Sequence, residues 1–111
     1  LKALPIFAIV ITIAFAQAPV NLENGKRLYE KDGCYECHGY AGQGGRDGPR
    51  IAATPLSSQA LTRYVRRPFG AMPAFTQKVL PDRELAEIYA YLRSLPAAKP
   101  AQDIPLLKQL Q

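Results

Sequence analysis

Apolar residues recur three and four positions apart in three stretches of this chain, and no stretch alternates with a period of two. The first stretch covers residues 22–31, where Leu22, Gly25, Leu28 and Tyr29 share one face. Asn21 precedes it as a candidate N-cap, and Gly33 breaks it. Glycine inside a helix costs about 1 kcal/mol relative to alanine. Gly25 therefore predicts close approach of a second helix. The next stretch, residues 59–67, follows Ser57-Ser58 as cap and stops at Pro68, with Leu61, Tyr64 and Val65 as its apolar stripe. The last runs over residues 82–95, after Leu80-Pro81 and up to Pro96. Leu85, Ile88, Leu92 and Leu95 line one face of it, while Arg83, Glu84, Glu87 and Arg93 fall elsewhere. The pattern predicts an all-α fold.

The start of the chain has a different pattern. Lys2 is followed by an uncharged run, residues 3–15, and Ala14-Phe15-Ala16 forms an A-x-A cleavage site. Residues 1–16 are expected to be a signal peptide cleaved after Ala16, which delivers the rest to the periplasm or another exported location. The competing reading is a retained membrane anchor, but the run contains Pro5 and is shorter than the roughly 20 residues a spanning helix needs. Membrane contact is expected only in that case. Residues 17–95 then suffice for one small domain, whose core is marginal without help. Residues 96–111 begin Pro-Ala-Ala-Lys-Pro and read as an extended C-terminal tail.

Both cysteines and the only histidine lie within five residues, Cys34-Tyr35-Glu36-Cys37-His38. C-x-x-C-H reads as a covalent c-type haem attachment site. On one helical turn, positions i, i+3 and i+4 share a face. Two thiols can add to the vinyl groups of one porphyrin edge while the imidazole reaches the iron as proximal ligand. A thioredoxin-like dithiol would want a β-α-β context and has no use for His38. Structural zinc needs four ligands and finds three. Burying on the order of 400 Å² of porphyrin, at about 25 cal/mol per Å², contributes roughly 10 kcal/mol. That is as large as the whole stability of a typical domain.

Two loops complete the site expected here. Five of the eight glycines fall between Gly39 and Gly48, so this backbone can turn tightly beside a flat ligand. A phosphate-binding reading fails, because no Gly-Lys-Ser/Thr follows them. Pro49 closes the loop with a carbonyl and no donor, which makes it the candidate acceptor for the second ring nitrogen of His38. Met72, the only methionine, sits in Gly70-Ala71-Met72-Pro73 between two predicted helices. Its soft thioether suits the sixth position on iron. A gap-filling methionine would instead sit on an apolar helix face. The expected cofactor is thus one covalent haem c, bound by Cys34, Cys37, His38 and Met72, with His38 and Met72 on the metal.

Taken in order, these pieces resemble a small class I c-type cytochrome: the helix with Gly25 and Tyr29, Cys34–His38, Gly48-Pro49, the loop Ala71-Met72-Pro73-Ala74-Phe75 and the final helix. The resemblance implies three to four helices around one haem, with first and last helices crossing where Gly25 and Tyr29 meet Ile88, Tyr91 and Leu92. It implies electron transfer and no catalytic residue. The chain departs from some relatives in having no tryptophan; Tyr64, Arg63 and Arg66 are alternatives for binding a haem propionate. The net charge is +5, and loss of Lys2 makes it +4. With Arg63, Arg66 and Arg67 clustered, the expected partners are redox proteins with acidic docking surfaces, not nucleic acid or a small-molecule substrate. The leading expectation is a soluble carrier. The alternative is a cytochrome c subunit of a larger dehydrogenase or oxidase.

Overall fold

Helix α1, Leu22–Lys31, begins where the sequence placed its cap: Asn21 Oδ1 accepts a hydrogen bond from the Asn24 backbone N–H at 3.1 Å. Glu23 in its first turn and Lys31 in its last complement the helix dipole. The computed structural model describes residues 19–110. The expected signal peptide, residues 1–16, lies outside them. After α1 come α2 (Cys34–His38), α3 (Ser58–Arg66) and α4 (Asp82–Ser94). The described residues contain no strand, so the fold is all-α.

The core forms where α1 crosses α4. A Cβ on Gly25 would lie 2.2 Å from the Glu87 carbonyl oxygen and 3.0 Å from Tyr91 Cβ. This glycine lets the two backbones meet, as its place in a helix required. One turn on, the Tyr29 and Tyr91 rings are tilted together with centroids 5.7 Å apart. Leu28, Tyr29, Ile88 and Leu92 are buried around them, and Leu61, Val65, Leu80 and Leu85 extend the cluster to α3.

Three side chains depart from the expected pattern. Glu87, assigned to a polar face, is buried, and its carboxylate accepts a hydrogen bond from Asn24 Nδ2 across the α1–α4 crossing. Tyr64 leaves the apolar stripe of α3 and is exposed beside Phe69, with ring centroids 6.3 Å apart. Leu95 is only half-buried. Helix α3 also starts a residue earlier than expected, because Ser57 alone caps it, accepting from the Ala60 N–H at 3.2 Å.

Beyond Pro96 the chain has no secondary structure as far as Pro100. It then makes a 3-10 turn, Ala101–Asp103, and a short helix α5, Pro105–Lys108. Residues 96–110 are exposed apart from half-buried Ile104. Among the described residues no helix is long and apolar enough to cross a membrane.

Candidate haem site

Helix α2 is a single turn bracketed by two glycines in the left half of φ space, Gly33 at +75° and Gly39 at +79°. Side chains rarely tolerate that conformation, so the brackets fix where the turn begins and ends. Cys34, Cys37 and His38 all lie on it, with both thiols free; Cys34 is half-buried and Cys37 exposed. His38 is buried at 9% exposure. The Tyr29 hydroxyl donates to the Gly39 carbonyl at 2.7 Å and so ties this turn to α1.

The glycine loop returns under the histidine. The Gly44 N–H donates to the His38 carbonyl at 2.8 Å, and the Gly45 N–H to the Gly48 carbonyl at 2.9 Å. A Cβ on Gly48 would come within 2.9 Å of His38 Nδ1, so the ring lies flat against bare backbone there. His38 Nδ1 is 2.7 Å from the Pro49 carbonyl oxygen. That oxygen can only accept, so Nδ1 carries the ring proton. Nε2 keeps its lone pair for a metal.

Met72 lies on the segment between α3 and α4, half-buried against the apolar cluster. Cys34, Ile51 and Phe75 border the same cluster. Met72 and Cys34, 38 sequence positions apart, thus both border this one core cluster. The segment is fastened at Phe75: its N–H donates to the Val65 carbonyl at 3.1 Å, and its own carbonyl accepts from Arg66 Nη1 at 2.8 Å. Arg66 Nη2 also donates to Asp82 Oδ1 at 2.6 Å. Sequence reasoning counted Arg66 both in a basic cluster and among the alternatives for a haem propionate. In the structure Arg66 is committed to a carbonyl and a carboxylate, and the cluster reduces to Arg63 and Arg67, both exposed.

The electrostatics follow from this packing. Burial, aided by the Asp32 carboxylate, pushes the Cys34 thiol up to about 11. An exchanging dithiol needs its thiol lowered, so this shift speaks against redox exchange at Cys34. Hydrogen bonding from Arg66 holds the exposed Asp82 carboxyl below its ordinary value. Among the described residues no three His, Cys, Asp or Glu side chains gather as a metal cage.

A family profile described as cytochrome C oxidase, cbb3-type, subunit III matches residues 20–92, which takes in α1 to α4 almost entirely. The chain belongs to the class I c-type cytochromes. This cytochrome is 35% identical over 92 residues to the 4-cresol dehydrogenase (hydroxylating) cytochrome c subunit of Pseudomonas putida, covering 82% of this chain and 77% of that one. It is 26% identical over 106 residues to the cbb3-type cytochrome c oxidase subunit CcoP of Helicobacter pylori (strain 52), covering 88% of this chain and 35% of that one. No solved structure gives a significant match.

The residues present fit the haem that this family carries. Two free thiols on one turn suit the vinyl edge of a porphyrin, while a buried imidazole engaged only through Nδ1 and a half-buried thioether are donors that haem iron takes. Sequence reasoning named these four residues as candidates and, of their contacts, found the Pro49 carbonyl beside His38. It missed the Tyr29 hydroxyl bond and the double engagement of Arg66, since neither partner has a recognisable spacing from the residue that holds it.

Proposed function

We propose that this cytochrome binds one haem c through thioethers at Cys34 and Cys37, with His38 Nε2 and Met72 as axial ligands. It passes single electrons between redox proteins outside the cytoplasm and turns over no substrate of its own. The observation that carries the proposal is the His38 ring, buried and oriented by the Pro49 carbonyl, on the same turn as two free thiols. When bound, the haem supplies the one-electron iron couple. Pro49 fixes the tautomer and orientation of the imidazole, and Gly48 lets the ring lie against the backbone. Met72 would bring a soft thioether to the iron, which would favour the ferrous state and compete with small-molecule ligands. Residues 1–16 act as the cleaved signal, residues 17–95 as the haem domain, and residues 96–111 as an appended tail.

The partner that the similarities favour is a dehydrogenase. The Pseudomonas putida relative is named as a dehydrogenase subunit and aligns over most of both chains, whereas the oxidase subunit is matched over about a third of its length. The role weighed second from sequence, a cytochrome c subunit of a larger dehydrogenase or oxidase, gains support from these relatives.

The test begins with the protein matured where haem attachment operates. Haem that stays with the polypeptide on a denaturing gel, with a mass equal to chain plus one haem, is expected. A Cys34→Ala, Cys37→Ala double variant should lose it. The oxidised protein should show a sulfur-to-iron charge-transfer band that Met72→Ala abolishes. A band that survives Met72→Ala would remove Met72 from the iron, and haem extracted by acid–acetone would remove both thioethers.

A further inference from the structure

Arg66 joins three elements through one guanidinium. It projects from the last turn of α3, donates through Nη1 to the Phe75 carbonyl and through Nη2 to Asp82 at the first residue of α4. The Phe75 N–H returns to the Val65 carbonyl next to Arg66 in sequence. Gln77 Nε2 donates to the other oxygen of Asp82, which closes the same short stretch from its far side. The backbone of residue 75 is therefore held by both its donor and its acceptor, three residues after Met72. On the other side of Met72 stands Gly70, with φ at +68° and no heavy atom within 4 Å of a Cβ built on it. Phe69, before it, is 81% exposed. Among the described residues, Gly70, Ala71 and Met72 make no backbone hydrogen bond, and the Phe69 ring only leans on exposed Tyr64, so the Phe75 flank carries the hydrogen-bonded fixing.

We infer that Arg66 is the positioning residue for Met72: its bonds to the Phe75 carbonyl and Asp82 hold the methionine segment in place, so that the thioether stays on the iron. The inference rests on the axial role proposed for Met72. Its physical basis is that a guanidinium presents two parallel donors in a fixed plane, which lysine cannot reproduce. Arg66 is mostly buried, with its side chain 19% exposed, whereas Asp82 is 58% exposed. The bond to the Phe75 carbonyl is thus the shielded one, and the ion pair to Asp82 mainly sets the plane of the guanidinium. When the clamp is cut, the segment loses its fixed end and an outside ligand can compete with the thioether.

The experiment is cyanide binding to the ferric, haem-loaded protein, followed by stopped flow together with the charge-transfer band. Loss of a hydrogen bond from a charged group should speed cyanide binding of Arg66→Gln about tenfold. Arg66→Lys should recover only part of the wild-type rate. Asp82→Asn, which spares the carbonyl bond at an exposed pair, should speed binding about threefold. Arg93→Gln is the control for mere loosening, because Arg93 Nη1 also donates to a carbonyl, that of Thr54 at 2.8 Å, away from the methionine segment. It should lower the unfolding midpoint and leave the cyanide rate unchanged. A wild-type rate in Arg66→Gln overturns the inference, as does an equal acceleration in Arg93→Gln. If Arg66→Gln cannot be isolated with haem, Asp82→Asn decides, and a wild-type rate there overturns it. Met72→Ala separates the two readings. If that variant keeps the charge-transfer band, the axial assignment fails; if it loses the band while Arg66→Gln behaves as wild type, only the positioning role fails.

Discussion

A methyl group at Gly25 would meet the Glu87 carbonyl oxygen at 2.2 Å, and backbone cannot step aside as a side chain can. Gly25→Ala should therefore destabilise the haem-loaded protein by about 3 kcal/mol, despite alanine's better helix propensity. Guanidinium unfolding measures it, and a wild-type midpoint would mean that α1 and α4 slide apart freely. The neighbouring Asn24–Glu87 bond makes a second prediction. Asn24→Ala leaves a buried carboxylate without its donor and should cost about 1–3 kcal/mol, whereas Glu87→Gln keeps the acceptor and should cost less. A larger loss in Glu87→Gln than in Asn24→Ala would place the carboxylate's importance elsewhere. These two positions mark where sequence is readable. Gly25 betrayed its role because a glycine inside a helix needs a compensating contact. Glu87 gave no sign, because its partner is 63 residues away and a buried carboxylate looks the same in sequence as a solvated one.

Among the elements, α1 was legible because spacing, cap and breaker agree there, α4 because its spacing runs unbroken between two prolines, and α2 because its chemistry is written in one motif. In the segment between α3 and α4 the sequence offered Met72 as a candidate ligand and nothing of the bonds that hold the chain there. Arg66, which bonds the Phe75 carbonyl and Asp82, belongs in sequence to a run of arginines and reads as surface charge. The acid limb of stability tests that assignment at the start of α4. Arg66 keeps the Asp82 carboxyl below its ordinary value of 3.8 in the folded chain. A carboxyl lowered by folding stabilises the native state fully above the unfolded value, and that contribution disappears as pH falls through the lower, folded value. The stability difference between wild type and Asp82→Asn should accordingly be constant from neutral pH to about 4 and shrink below it. Thermal unfolding of both proteins across that range is the measurement. A difference that persists unchanged to pH 2 would mean that Asp82 acts through packing and not through its charge.

At the scale of the molecule, a net charge of +5 and a role between redox proteins make encounter rate the quantity that selection can reach. Electron transfer needs the haem brought near a partner quickly and released quickly, and long-range attraction raises the rate of encounter more than the strength of the complex. Because Arg66 is tied to Asp82, the unpaired positive charge beside the methionine segment is that of Arg63, Arg67 and Lys78, all exposed. Exposed Tyr64 and Phe69 lie among them and offer apolar contact once the partners meet. Reduction by a dehydrogenase partner should slow as salt rises, since the field of exposed charges is screened over about 8 Å at physiological ionic strength. Arg63→Gln and Arg67→Gln should each flatten that salt dependence, while Arg66→Gln should alter it less, its charge being already offset by Asp82. Stopped-flow reduction across a salt series reads all three. Equal flattening by Arg66→Gln would return Arg66 to the steering rim. A salt response that none of the three changes would put the docking charge elsewhere on the surface, with the tail's Lys99 and Lys108 the next positions to test. The same apparatus tests the Met72 ligation proposed above, because rapid peroxide turnover or tight carbon monoxide binding by the native ferrous protein would point to an enzyme or a sensor instead of a carrier.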